Sequence, residues 1–179
     1  MAILKIARMG HPVLLARAAE VDDVRAAEGR RLLADMVATL KDAGGVGLAA
    51  PQVFASVRLF IFYVPESRAG SGGALPLTAV FNPVVTPLDE EMELGWEGCL
   101  SIPGLRAAVP RHKKVRLSGL GIEGEALNMV LEGFAARVVQ HEADHLDGMM
   151  YPMRMRDFRY FGFNEEMDRN PVPLPGEVL

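Results

Sequence analysis

The chain has one cysteine, one tryptophan and few aromatic residues, 7 % of its 179 positions. The lone thiol, Cys99, rules out a disulfide within the chain and suits a reducing compartment. Basic charge is also scarce. Against 23 Asp and Glu stand 19 Lys and Arg, for a net charge of −4. Without a basic excess to neutralise phosphates, direct DNA binding is not expected. No apolar run nears the roughly 20 residues needed to span a bilayer, so no membrane partner is expected. The longest, Leu59 to Val64, has the length of a strand. The segment Met1 to Arg8 lacks an apolar signal core and the Ser and Arg enrichment of a transit peptide. These absences lead to the expectation of a soluble, cytoplasmic protein.

What is present is an ordinary globular composition. Half of the residues are apolar, enough for a core without staples. One catalytic domain is expected over 1–169, followed by a loose tail, 170–179, that holds three prolines. Val24, Leu32, Leu33, Met36, Val37 and Leu40 recur at helical spacing. They predict a helix over about 24–43, capped by Asp22 or Asp23 and stopped by Gly44-Gly45. Strands are predicted over 57–64, 77–85, 91–96, 113–120 and 125–131. Pro83 and Pro87 mark the second of these as an edge or a strand end. Residues 68–74, with three glycines, read as a flexible surface loop. A second helix is predicted over 133–146 with Gly148 as its C-terminal cap, and a last one within 153–166. The pattern implies an α+β fold, mostly antiparallel.

The second helix carries the chemistry. His141-Glu142-Ala143-Asp144-His145 matches H-E-x-x-H. Residues four apart on a helix stand one above the other, so both imidazoles can reach one cation. Glu142 can then serve a metal-activated water, whose pKa falls to about 7, as its proton acceptor. Two surface histidines on a charged helix are the bland alternative. The flanking Val138, Val139 and Leu146 argue for burial instead. Phe134 and Val138, seven and three residues before His141, share its face and offer a wall for an apolar side chain.

A catalytic metal site usually has three protein ligands. Two candidates stand for the third. Glu165 or Glu166, about twenty residues on, would suit a zinc endopeptidase. Cys99 would present a thiolate, a strong ligand for iron or zinc. A lone cysteine is most often a small buried hydrophobe. Here Gly98 before it permits close backbone approach and Pro103-Gly104 soon after it breaks the strand, marking an irregular, tightly placed segment that suits a ligand at a strand end. The loop Gly45-Val46-Gly47-Leu48-Ala49-Ala50-Pro51-Gln52 is no phosphate loop, since no G-K-[ST] follows and it leaves a helix. Spacing alone favours a helix cap and a packed strand there, although the Gln52 amide could donate to a developing oxyanion.

Taken together, 45–52, Glu97-Gly98-Cys99-Leu100-Ser101 and 141–145 resemble the three ordered motifs of the peptide deformylase family, G-x-G-x-A-A-x-Q, E-G-C-x-S and H-E-x-D-H. The resemblance runs from about Ile3 to Met155. It implies antiparallel sheets packed around a central metal-binding helix, and hydrolytic removal of the formyl group from N-formylmethionyl nascent peptides. By matching positions, Cys99, His141 and His145 would hold one Fe(II), with zinc, nickel or cobalt as substitutes. Glu142 would be the general acid/base. Gln52 and the Leu100 N–H would stabilise the oxyanion, and Val46 and Gly47 would hold the peptide backbone. Phe134 and Val138 would take the methionine side chain. Arg106 resembles a family position near the substrate, and Arg111 would pair with Glu97 to brace the cysteine loop. Ala143 stands where many members have a larger apolar residue. The aromatic, basic segment 151–163 could pack across the sheet, touch the ribosome or meet a second subunit. A catalytically dead binder is a further alternative, against which the intact Glu142 speaks.

Overall fold

The computed structural model describes residues 1–175; the last four positions of the expected loose tail lie outside the described residues. Eight strands and three α-helices follow in chain order: α1 (Ala27–Ala43), β1 (Gly47–Ala49), β2 (Leu59–Val64), β3 (Leu75–Pro87), β4 (Met92–Cys99), β5 (Ile102–His112), β6 (Lys114–Leu120), β7 (Ala126–Glu132), α2 (Gly133–Leu146), β8 (Phe161–Phe163) and α3 (Asn164–Arg169). They form two antiparallel sheets, β1-β2-β3-β6-β7 and β4-β5-β8. The fold is α+β, as the pattern implies.

The apolar run of β2 has a simple cause. Phe60 and Phe62 face α2 and pack with Ala136, Val138, Val139 and Leu146. Leu59 and Ile61 face α1 and pack with Leu33, Met36 and Leu40. A strand covered by a helix on each face has no polar side. Each fully buried large side chain stabilises the fold by about 1.5–3 kcal/mol relative to exposure, so these four residues anchor both helices. Helix α2 also contacts β5 of the smaller sheet, which places it between the two sheets.

Several local expectations change. Helix α1 starts at Ala27, with Ala26 as an N-cap that makes no side-chain bond. Asp23 instead accepts the Arg25 N–H at 2.9 Å, in a turn before the helix. Strand β3 lies in the middle of its sheet. Pro83 is tolerated there because the register shifts between Phe81 and Val84, and Asn82 takes φ 47. The Asn82 carboxamide bonds both the N–H and the carbonyl of Val21, at 2.8 and 2.9 Å, which holds the bulge. The 68–74 loop follows a 3-10 turn at Glu66–Arg68 and contains another at Gly70–Gly72. Pro103-Gly104 does not end a strand but opens β5. No helix runs through 153–166; Tyr151–Arg154 and Phe158–Tyr160 are 3-10 turns, and β8 and α3 follow. Within the expected loose tail, Leu174 is buried.

Candidate metal centre

Helix α2 forms where its periodicity places it, and Gly148, at φ 70, turns the chain away after its end. One turn apart on its inner face, His141 and His145 have ring centroids 5.0 Å apart. Cys99 comes from the end of β4. The β4–β5 register breaks between Gly98 and Cys99, pairing Gly98 with Arg106 but Cys99 with Ile102. The residues left over on β5 form the irregular segment that presents the thiol. Cys99 Sγ lies 3.3 Å from His145 Nε2. One donor atom each from Cys99, His141 and His145 falls within 4.8 Å of the others. Glu165 and Glu166 are exposed on α3 and do not join this cluster.

The electrostatics of the cluster suit a cation. His141 Nδ1 stands 2.8 Å from Glu97 Oε2. A carboxylate only accepts, so Nδ1 carries the proton and Nε2 remains free as a donor to metal. Burial alone would raise the Cys99 thiol, but the charge of His145 and bonds from both histidines hold it well below its ordinary value. Burial alone would lower His141, yet bonds to Cys99 and Glu97 raise it well above. The three side chains thus favour a thiolate beside an imidazole proton, a donor set that a metal ion would fit in place of that proton. Glu142 is buried, and its Oε2 has no hydrogen-bond partner. Burial pushes its pKa up to about 7, against the pull of the two histidines. The carboxyl is therefore poised to exchange a proton near neutrality.

The remaining predicted residues gather here with one exception. Val46, Gly47, Gln52, Glu97, Leu100, Phe134 and Val138 line one cleft of about 580 Å³ with Cys99, His141 and Glu142, and His145 is buried behind it. A Cβ on Gly47 would collide with the Glu142 carboxyl. Gln52 accepts the Ala49 N–H with Oε1 at 2.9 Å, which turns its amide Nε2 toward Ser101 Oγ at 3.1 Å and Cys99 Sγ at 3.5 Å. Arg111 grips Glu97 through two bonds of 2.9 and 3.0 Å and reaches Asp144 at 2.6 Å. Arg106 is the exception. It does not line the cleft; it pairs with Asp168 of α3 at 2.6 Å and lies over Trp96.

Three residues of the centre were given no role in the sequence reading. Arg137 donates to Glu97 at 2.9 Å and to the Val109 carbonyl at 2.7 Å. Its signal was a lone charge in an apolar stretch of helix. Asp144, the fourth residue of the helix motif, binds Arg111 and Arg154. Tyr151 stacks on the His141 ring at 6.1 Å and 24°. Nothing in the local sequence marked it.

A profile described as polypeptide deformylase matches residues 3–160. The chain belongs to the polypeptide deformylase family. Among its deformylase relatives, one from Bordetella pertussis is 49 % identical over 170 residues, covering 92 % of this chain and 97 % of the relative. Another, from Nitrosomonas europaea, is 46 % identical over 178 residues, covering 99 % and 98 %. A solved deformylase from Acinetobacter baumannii with Met-Ala-Ser bound superposes with TM-score 0.80 at 36 % identity, covering 86 % of this chain and 99 % of that one. The Ehrlichia chaffeensis deformylase in complex with actinonin gives 0.82 at 27 %, covering 96 % and 100 %.

Proposed function

We propose that this chain removes the formyl group from N-formylmethionyl peptides, yielding formate and a free methionyl amine. The convergence of Cys99, His141 and His145 at a cleft that Glu142 also lines carries this reading. The domain that does so is 1–169. The two imidazoles and the thiolate would hold the metal, Fe(II) by family resemblance, with zinc, nickel or cobalt as substitutes. The bound ion supplies Lewis acidity, bringing the pKa of water to about 7.

The chain's own groups do the rest. Glu142 takes a proton from the attacking water and returns it to the amine nitrogen as the formyl C–N bond breaks. The Gln52 amide and the Leu100 N–H donate to the oxygen that gains negative charge on the formyl carbon. Gly47 and Val46 hold the peptide main chain. The narrow space at Gly47 suits a formyl carbon, which bears only hydrogen. Phe134 and Val138 receive the methionine side chain. Arg111 and Glu97 fix the orientation of His141. Arg106, engaged with Asp168, can act on substrate only at the margin. The substrates are newly made chains met in the cytoplasm as they leave the ribosome, with which contact is transient.

The test is formate release from formyl-Met-Ala-Ser by iron-loaded enzyme without oxygen. Wild type should turn over, and Cys99→Ala should lose both bound metal and activity. Full metal and activity in that variant would remove the thiol from the site; no release by the wild type would leave only a binder.

A further inference from the structure

We propose that Arg68 makes this cleft read substrate charge, favouring peptides with an acidic side chain at the second or third residue. The proposal rests on the deformylase reading of the same cleft. Arg68 is exposed, ends the 3-10 turn Glu66–Arg68 and lines the cleft. Its guanidinium carbon stands 5.1 Å from the centroid of the Phe134 ring, which lines the cleft beside it.

The other charges of the lining are engaged. Glu97 binds Arg111, Arg137 and His141. Arg137 binds Glu97 and the carbonyls of Gly95, Val109 and Glu93. Glu142 is the proton-transfer carboxyl. Arg68 alone among these lining cations makes no ion pair with the described residues; its partner is the face of the Phe134 ring. Glu66 precedes it by two positions, and on a turn of three residues such positions point to different sides.

The chemistry of the substrate sharpens the point. Formylation removes the amino-terminal charge, so the group entering the metal centre is neutral. The first charge that a nascent peptide brings to the cleft sits on a downstream side chain. A guanidinium held over a ring face attracts a carboxylate there and repels an ammonium. Because Arg68 is exposed, the preference is modest, roughly two- to five-fold.

The test measures kcat/KM of the iron-loaded enzyme on C-terminally amidated formyl-Met-Asp-Ser and formyl-Met-Lys-Ser, and on formyl-Met-Ala-Asp and formyl-Met-Ala-Lys. The readout is the acidic-to-basic ratio at each position, in which any general loss of activity cancels. Wild type should give a ratio of roughly two to five at one position or both, shrinking in 1 M salt. Arg68→Gln should bring it to about one, and Arg68→Glu should invert it. A wild-type ratio near one at both positions, or a ratio that survives Arg68→Glu, would overturn the proposal. Absence of formate from all four peptides would overturn the deformylase reading and this inference with it.

Discussion

A methyl group on Gly47 and the carboxyl of Glu142 cannot share the same space. Gly47→Ala must displace either β1 or the carboxyl, and a catalytic group out of place by about 1 Å costs on the order of 100-fold. We expect formate release to fall by about that factor while bound metal, measured in parallel, stays stoichiometric. Unchanged turnover would mean that the carboxyl moves freely. Glu97 governs the acid side. Its burial would raise its pKa, but bonds and charges from His141 and Arg111 hold it well below the ordinary 4.5. A folded value below the unfolded one gives stability that is present above about pH 4.5 and lost as pH falls below it. Thermal midpoints of the wild type should therefore drop in that acid range. Glu97→Gln should start lower at pH 7, by about 3–5 kcal/mol for the broken buried pair, and follow a flatter acid limb. Parallel limbs for the two proteins would show that this carboxylate does not set the acid response.

Helix α2 owes its place in part to the turn that follows it. Gly148 combines φ 70 with a close approach to Leu15, whose carbonyl oxygen a Cβ would meet at 2.6 Å. Gly148→Ala should cost at least the 1–2 kcal/mol of a left-handed non-glycine residue, about 2 kcal/mol in all. A lower urea midpoint with an unchanged slope would bear this out; an unshifted midpoint would not. This helix was readable in the chain because its apolar period, its motif and its cap agree. The strands were less so. Pro83 argued for an edge, yet Asn82 and the bulge let β3 stand at the centre. Pro103-Gly104 argued for a break, yet they form the irregular start of β5 that delivers Cys99. The aromatic 158–163 stretch adds β8 because β5 offers it an open edge, Leu105 pairing with Phe163. No property of 158–163 taken alone specifies that partner.

At the level of the assembled fold, a metal held by Cys99 and His145 would tie the β4 hairpin to α2 across a sequence separation of 46 residues. A ligand bound only by the native state stabilises it, by about 4 kcal/mol when present at a thousand times its Kd. Chelation should lower the urea midpoint of the wild type and leave that of Cys99→Ala unmoved. An equal shift in both would place the binding elsewhere. The charges around the centre behave as one network, with Glu97 joining His141, Arg111 and Arg137, and Asp144 joining Arg111 and Arg154. Apart from Arg111 with Glu97, which the family resemblance implied, these pairings could not be assigned in advance, because each crosses between elements.

The order of residues alone decided the helix proposed to bind metal, its paired histidines and the carboxyl between them. Those features are set by neighbours within a turn or two, where spacing and geometry are equivalent. It also left Cys99 and the two glutamates of α3 as rivals, which only the motifs taken together could separate. Packing made that choice physically. The β4–β5 hairpin closes on α2 and carries the thiol to His145, while α3 turns its glutamates to solvent. Contacts between distant segments depend on which surfaces bury each other, and a linear pattern leaves many such burials open.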